Sequence, residues 1–167
     1  HTDLTPHVPG RITALAFGSR NETLAVGTED GRVYQVDVHE PTMPVVTETT
    51  LTTEKGEAVT ALAYLMGDRS LVVGSASGRV DVWMPVRDHP TTNRTHMRMI
   101  HQLAAHPRAV AEITMSQRDK GFITADAGGE IRLHHATSEQ TLLSLPATQG
   151  ALRSVYFSPK ADGVVGL

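Results

Sequence analysis

LAVGTEDGRVYQV, from Leu24 to Val36, and LVVGSASGRVDVW, from Leu71 to Trp83, align without a gap and share six of 13 residues. Twelve positions ahead of each begins a shorter apolar run, ITALAF (Ile12 to Phe17) and VTALAY (Val59 to Tyr64). A third pair is weaker: VAEITM (Val110 to Met115) and FITADAGGEIRLH (Phe122 to His134). A fourth opens with LRSVYF (Leu152 to Phe157), and its second run starts at Val164. The first-to-second offset is 12 in all four copies, and a turn glycine (Gly31, Gly78, Gly129) follows the start of the second run by 7. Spacing between copies varies, at 47, 51 and 42. A fixed unit joined by variable connections is the mark of a repeat architecture.

Each unit reads as strands. The runs are short, rich in Val, Ile, Leu and Thr, and separated by turn-forming stretches such as Gly18-Ser19-Arg20-Asn21 and Ser158-Pro159-Lys160-Ala161-Asp162. The glycine after the second run supplies the positive φ of a tight hairpin. Candidates for a fourth strand are Thr47 to Thr53, Met97 to Leu103 and Thr141 to Leu145. No run sustains helical periodicity. Four antiparallel strands repeating every 42–51 residues predict the blades of a β-propeller. The expected fold is all-β: an arc of about three complete blades plus half of a fourth, not closed by one chain. Blades are expected near 8–53, 54–104, 105–147 and 148–167, the last incomplete.

Composition bounds the rest. The chain has 167 residues, of which 40% are apolar and 20% charged, so it is globular rather than disordered. A net charge of -3 argues against a nucleic-acid binder. The absence of cysteine excludes disulfides, thiolate metal sites and a cysteine nucleophile. No apolar run approaches the ~18 residues of a membrane helix. Aromatics are only 4%, with Trp83 the sole tryptophan. Close stacking of blades accounts for this, since Ala14, Ala16, Ala61, Ala63, Gly27 and Gly74 let sheets approach. The chain opens at His1-Thr2-Asp3 without methionine and stops on Val164-Val165-Gly166-Leu167, so both ends are expected to be cuts in a longer chain.

The apolar first strand, the Ser-Pro-type turn, the G-S-x-S-G-type turn and Trp83 resemble the WD40 repeat. His106 stands near the family's Gly-His position, with Ala105 in place of glycine, and the Trp-Asp dipeptide reads Trp83-Met84, Val36-Asp37 and His134-His135. The resemblance implies that the family's buried His/Asp/Ser/Trp network is incomplete in every blade. The runs Lys120 to Ile131 and His135 to Leu143, within residues 67–167, also resemble the extracytoplasmic insert of bacterial phosphate ABC-transporter permeases. That likeness implies a non-catalytic periplasmic domain of an inner-membrane parent, contacting other transporter subunits or a substrate-binding protein. The alternative is a soluble, cytoplasmic WD40-like scaffold for protein–protein interactions. A propeller enzyme or metal-binding domain is the minor alternative.

Candidate chemistry is sparse. His134 and His135 are neighbours on a strand and so face opposite ways; His96, His101 and His106, spaced by five, alternate likewise, with no Asp or Glu at ligand spacing. Asp30, Asp126 and Asp162 recur at turns, where local hydrogen bonding explains them. Neither a nucleophile elbow nor a phosphate loop is present. No catalytic, cofactor or metal residue is expected. Arg87, Arg94, Arg98 and Arg108 crowd the connection after Trp83 and form the candidate partner surface; solvated loop charge is the plainer reading. Met97, Met99 and Ile100 form an apolar cluster in the candidate outer strand, read first as core packing. An unclosed arc would expose blade faces and edges, so either a second copy is expected to pair there or a longer parent chain is expected to supply the remaining blades.

Overall fold

The computed structural model describes residues 7–40, 42–52, 56–65, 67–88, 95–138, 140–147, 154–160 and 162–166. Among them lie fourteen strands and no helix. The first sheet comprises β1 (Ile12–Phe17), β2 (Thr23–Thr28), β3 (Arg32–Asp37) and β4 (Val45–Leu51). The second comprises β5 (Val59–Tyr64), β6 (Leu71–Ser75), β7 (Val80–Arg87) and β8 (Thr95–Leu103). The third comprises β9 (Val110–Met115), β10 (Gly121–Asp126), β11 (Ile131–His135) and β12 (Thr141–Leu145). A two-stranded sheet of β13 (Val155–Phe157) and β14 (Val164–Gly166) follows. All pairings are antiparallel between successive strands, so each sheet is a meander and the chain is an open propeller arc.

The outer strands start earlier than the sequence suggests. β4 begins at Val45 rather than Thr47, and β8 at Thr95 rather than Met97. In the second blade the cause is β7, which runs on to Arg87 and pairs it with Thr95. Thr53, expected to end β4, lies outside the described residues.

Two irregularities recur at fixed repeat positions. The first strand shifts register at its head, between Ile12 and Ala14 and between Val59 and Ala61, with a matching shift at Ala125/Asp126 in the third blade. The third-to-fourth pairing shifts at Gln35/Val36, Val82/Trp83 and Leu133/His134. A bulge re-aims a side chain and bends its strand. Here it falls each time beside the position held by Val36, Trp83 or His134. The turns between second and third strands close as expected, with φ of 82°, 87° and 89° at Gly31, Gly78 and Gly129.

Most of the core lies between sheets, and one cluster of Val8, Leu24, Val26, Tyr34 and Val36 lies within the first blade. The first–second junction packs Ala25, Val33, Val59 and Leu62, with Tyr64 and Trp83 against them. The second–third junction packs Val72, Val80, Val82, Val110 and Phe122, with Ile113 and Met115. The third joins the two-stranded sheet through Ile123, Ala125 and Val155. The repeat aligns these contacts. Leu62, Ile113 and Val155 hold one position, Tyr64, Met115 and Phe157 another, and each packs on the preceding blade. Small β-branched and alanine side chains allow this close approach, which is why so few aromatics suffice.

Candidate functional site

Four positions recur in each repeat, and three blades fill them with different chemistry. The positions are one residue before the first strand, two on the second strand and one at the bulge of the third. In the first blade they hold Val8, Val26, Thr28 and Val36, and the three valines are at most 1% exposed within one apolar cluster. In the second they hold Val73, Ser75 and Trp83, while Lys55, at the leading position, lies outside the described residues. Trp83 packs against the first–second junction, but its Nε1 is buried without a hydrogen-bond partner.

The third blade restores polar chemistry. His106 Nε2 lies 2.7 Å from Thr124 Oγ1, and Thr124 Oγ1 lies 2.8 Å from His134 Nε2. His134 Nδ1 continues to Thr141 Oγ1 at 3.3 Å. Phe122 stacks on the His134 ring with centroids 5.0 Å apart. Asp126 closes the other end: its Oδ1 accepts from the backbone amides of Gly128 and Glu130, both at 2.9 Å. Its Oδ2 faces His106 Nδ1 at 4.0 Å, and both atoms are buried without a hydrogen-bond partner. The network is incomplete here as well, as expected, because the His106–Asp126 link is not made. The third blade keeps a connected His–Thr–His chain with the aspartate beside it, and His134 takes the tryptophan place.

The histidine reading is corrected. His106 is not on β8 with His96 and His101; it lies in the following loop, with its side chain fully buried. Asp126 and Glu130, twenty and more residues away, meet it through the fold. Burial, with the nearby Arg132 guanidinium, holds the His106 ring below the usual imidazole range. His134 is pushed down to about 4, by burial first and then by His106 and Arg132. Both rings are therefore neutral at pH 7. Thr124 is fully buried, so this group offers no nucleophile to a substrate.

Arg132 anchors the loop that carries His106. Its Nε donates to Glu130 Oε1 at 2.6 Å, and its Nη1 donates to the carbonyls of Ala104 and Ala105 at 2.7 and 3.1 Å. The equivalent pair in the second blade has its charges exchanged: Arg79 Nη2 donates to Asp81 Oδ2 at 2.9 Å. Residues two apart on a strand share a face, so either order makes the bridge.

The arginines of the candidate partner surface do not converge. Arg87 and Arg98 are exposed on β7 and β8, whereas Arg108 stands by the Gly78 and Gly128 turns. Along β7, 8 residues long, these ends lie about 23 Å apart. Arg94 lies outside the described residues. The methionine cluster is also divided: Met97 packs toward the first blade, Ile100 toward the third, and Met99 is 40% exposed. The turn aspartates behave locally, Asp30 bonding Thr28 and Arg32, and Asp162 bonding Ser158.

One apolar surface stands out. Ile12, Leu15 and Phe17 are 37%, 53% and 58% exposed. Their repeat equivalents in the second blade, Val59, Leu62 and Tyr64, pack on the preceding blade. Phe17 also lines a cleft with Tyr64, Asp68 and Met115 across three first strands. The Tyr64 hydroxyl there is raised to about 12 by burial and by Asp68.

Comparison with known proteins matches residues 1–37 to the family model of the WD domain, G-beta repeat. Among solved structures, the chain is similar to the computationally designed Ika4 protein, at 21% identity and a TM-score of 0.69, covering 95% of this chain and 86% of that one. Comparison with curated proteins finds no match. The fold is therefore that of a propeller with WD40-like repeats. Neither match is to a transporter permease, so the phosphate-permease resemblance has no support from them.

Proposed function

We propose that this chain is a non-catalytic propeller scaffold that binds protein partners through the open face of its first blade. One observation carries the reading: Ile12, Leu15 and Phe17 occupy blade-junction positions yet stand 37%, 53% and 58% exposed. A face shaped to pack against another β-sheet, and exposed in this chain, is fitted to bind one. The WD-repeat match at residues 1–37 covers this same face and agrees with a scaffold role. The first partner to test is a second copy, since the equivalent faces of the three later sheets pack on blades of this chemistry.

Light scattering across a concentration series tests this. Self-association should rise with concentration and disappear in Leu15→Glu/Phe17→Glu, with the urea midpoint unchanged. A monomer at every concentration removes self-pairing. The permease role and periplasmic placement rest on the residue runs within 67–167; membrane helices flanking this segment in its gene would support them.

A further inference from the structure

We infer that the first-blade face binds a second copy head to tail, on the far face of that copy's β13–β14 sheet, and that two copies close one ring through two such contacts. This rests on the scaffold reading above and names the counterpart surface. Tyr156 and Val165 are cross-strand partners, so their side chains share one face of the sheet. They are 48% and 50% exposed. Val155, Phe157 and Val164 turn the opposite way, onto the third blade.

The repeat shows what the far face is shaped for. Val165 holds the position of Ala25, Val72 and Ile123, each fully buried where its blade receives the next sheet. Tyr156 holds the position of Ala16, which packs at the first–second junction, and of Thr114, whose hydroxyl donates to the Val155 carbonyl at 2.7 Å across the third. Leu15 holds the position that fills the other side of every junction, as Leu62, Ile113 and Val155 do. The arc thus exposes, at opposite ends, the two halves of a contact it makes three times internally. Phe17 of one copy against Phe17 of another would join two leading faces, a pairing seen at none of these junctions. The extents also match. The exposed strip of the first blade is confined to β1, because Leu24 and Val26 on β2 are covered within their own blade. A sheet of two strands is wide enough to cover a strip of one.

A head-to-tail contact uses different surfaces on the two copies, so it either closes a ring or grows a filament. Each copy brings four sheets, one of them two-stranded. Propellers close with about 4–8 blades. One copy leaves both its end faces exposed, and twice four sheets already reaches the upper end of that range. Two copies therefore make the ring.

Light scattering on separate and mixed variants is the test. The unaltered chain should reach twice the mass of one chain and stop there. Leu15→Glu/Phe17→Glu alters only the head and Tyr156→Glu/Val165→Glu only the tail, so each alone should be monomeric. An equimolar mixture should recover a dimer with one chain of each kind, because one intact head then meets one intact tail. It should need a higher concentration than the unaltered chain, having one contact in place of two. All four positions are roughly half exposed, so both variants should keep the original circular dichroism. Where a double change disturbs that signature, Leu15→Glu and Val165→Glu alone take its place. A tail variant that still dimerises by itself overturns the head-to-tail contact while leaving the first-blade face an interface. A mixture that stays monomeric also overturns it, and growth past two copies overturns the ring. A monomer of the unaltered chain at every concentration overturns this inference and the self-pairing together.

Discussion

Gly27 lies directly under Val59: a Cβ on the glycine would stand 2.5 Å from Val59 Cγ1 and 2.8 Å from its Cβ. Gly74 meets Val110 in the same way, at 2.6 Å from Cγ1 and 2.7 Å from Cβ. The contact is one repeat element used twice, the second strand of one blade against the first residue of the next. Both partners are β-branched, so neither side chain can swing aside. Gly27→Ala and Gly74→Ala should each cost about 1–3 kcal/mol by overpacking. Gly163→Ala, where a Cβ meets nothing within 4 Å, should stay within about 0.5 kcal/mol. Urea unfolding of the three variants checks the contrast.

Equivalent residues should differ in cost according to how far this chain covers them. Leu62→Ala removes a side chain 8% exposed inside the first–second junction and should cost about 2–5 kcal/mol. Leu15→Ala, at the same repeat position but 53% exposed, should cost under about 1 kcal/mol. Equal losses in denaturant midpoints would mean that the first-blade face is covered in solution.

Acid should weaken the third blade. His134 falls to about 4 in the folded chain, and His106 is also lowered. The unfolded chain, with histidines near 6.5, then binds protons more readily than the folded one. Stability is fully present above pH 6.5 and declines as pH falls toward 4, by about 1.4 kcal/mol per unit for a single ring. Thermal melts between these limits should show the decline, and His134→Phe should flatten it.

The buried and exposed ion pairs should separate. Arg32–Asp30 is half-exposed, so Arg32→Ala should cost under about 1 kcal/mol. Arg132–Glu130 is largely buried and also holds the Ala104 and Ala105 carbonyls, so Arg132→Ala should cost about 3 kcal/mol. Hydrogen exchange should rise at His106 in Arg132→Ala, because the loop loses its anchor.

The strands, the meander order and the turn glycines were legible because each depends on residues within a dozen positions. Trp83 and His134 could be placed on one repeat column for the same reason. The His106–Asp126–Glu130 group was not legible as a unit. Its members lie on a loop, a strand end and a turn, and only sheet pairing brings them together. The spacing of five between His96, His101 and His106 suggested a common strand, but the chain leaves β8 after Leu103. A usable signal did exist: Thr124 stands where the other blades carry Val26 and Val73, a hydroxyl at a position otherwise held by valine.

Because Val8, Val26 and Val36 do in one blade what His106, Thr124 and His134 do in another, the arc has no single weak point. Warming strengthens the apolar set relative to the polar one, whereas acid attacks only the histidines and leaves the valines untouched. Solvent conditions thus select which end of the arc frays first.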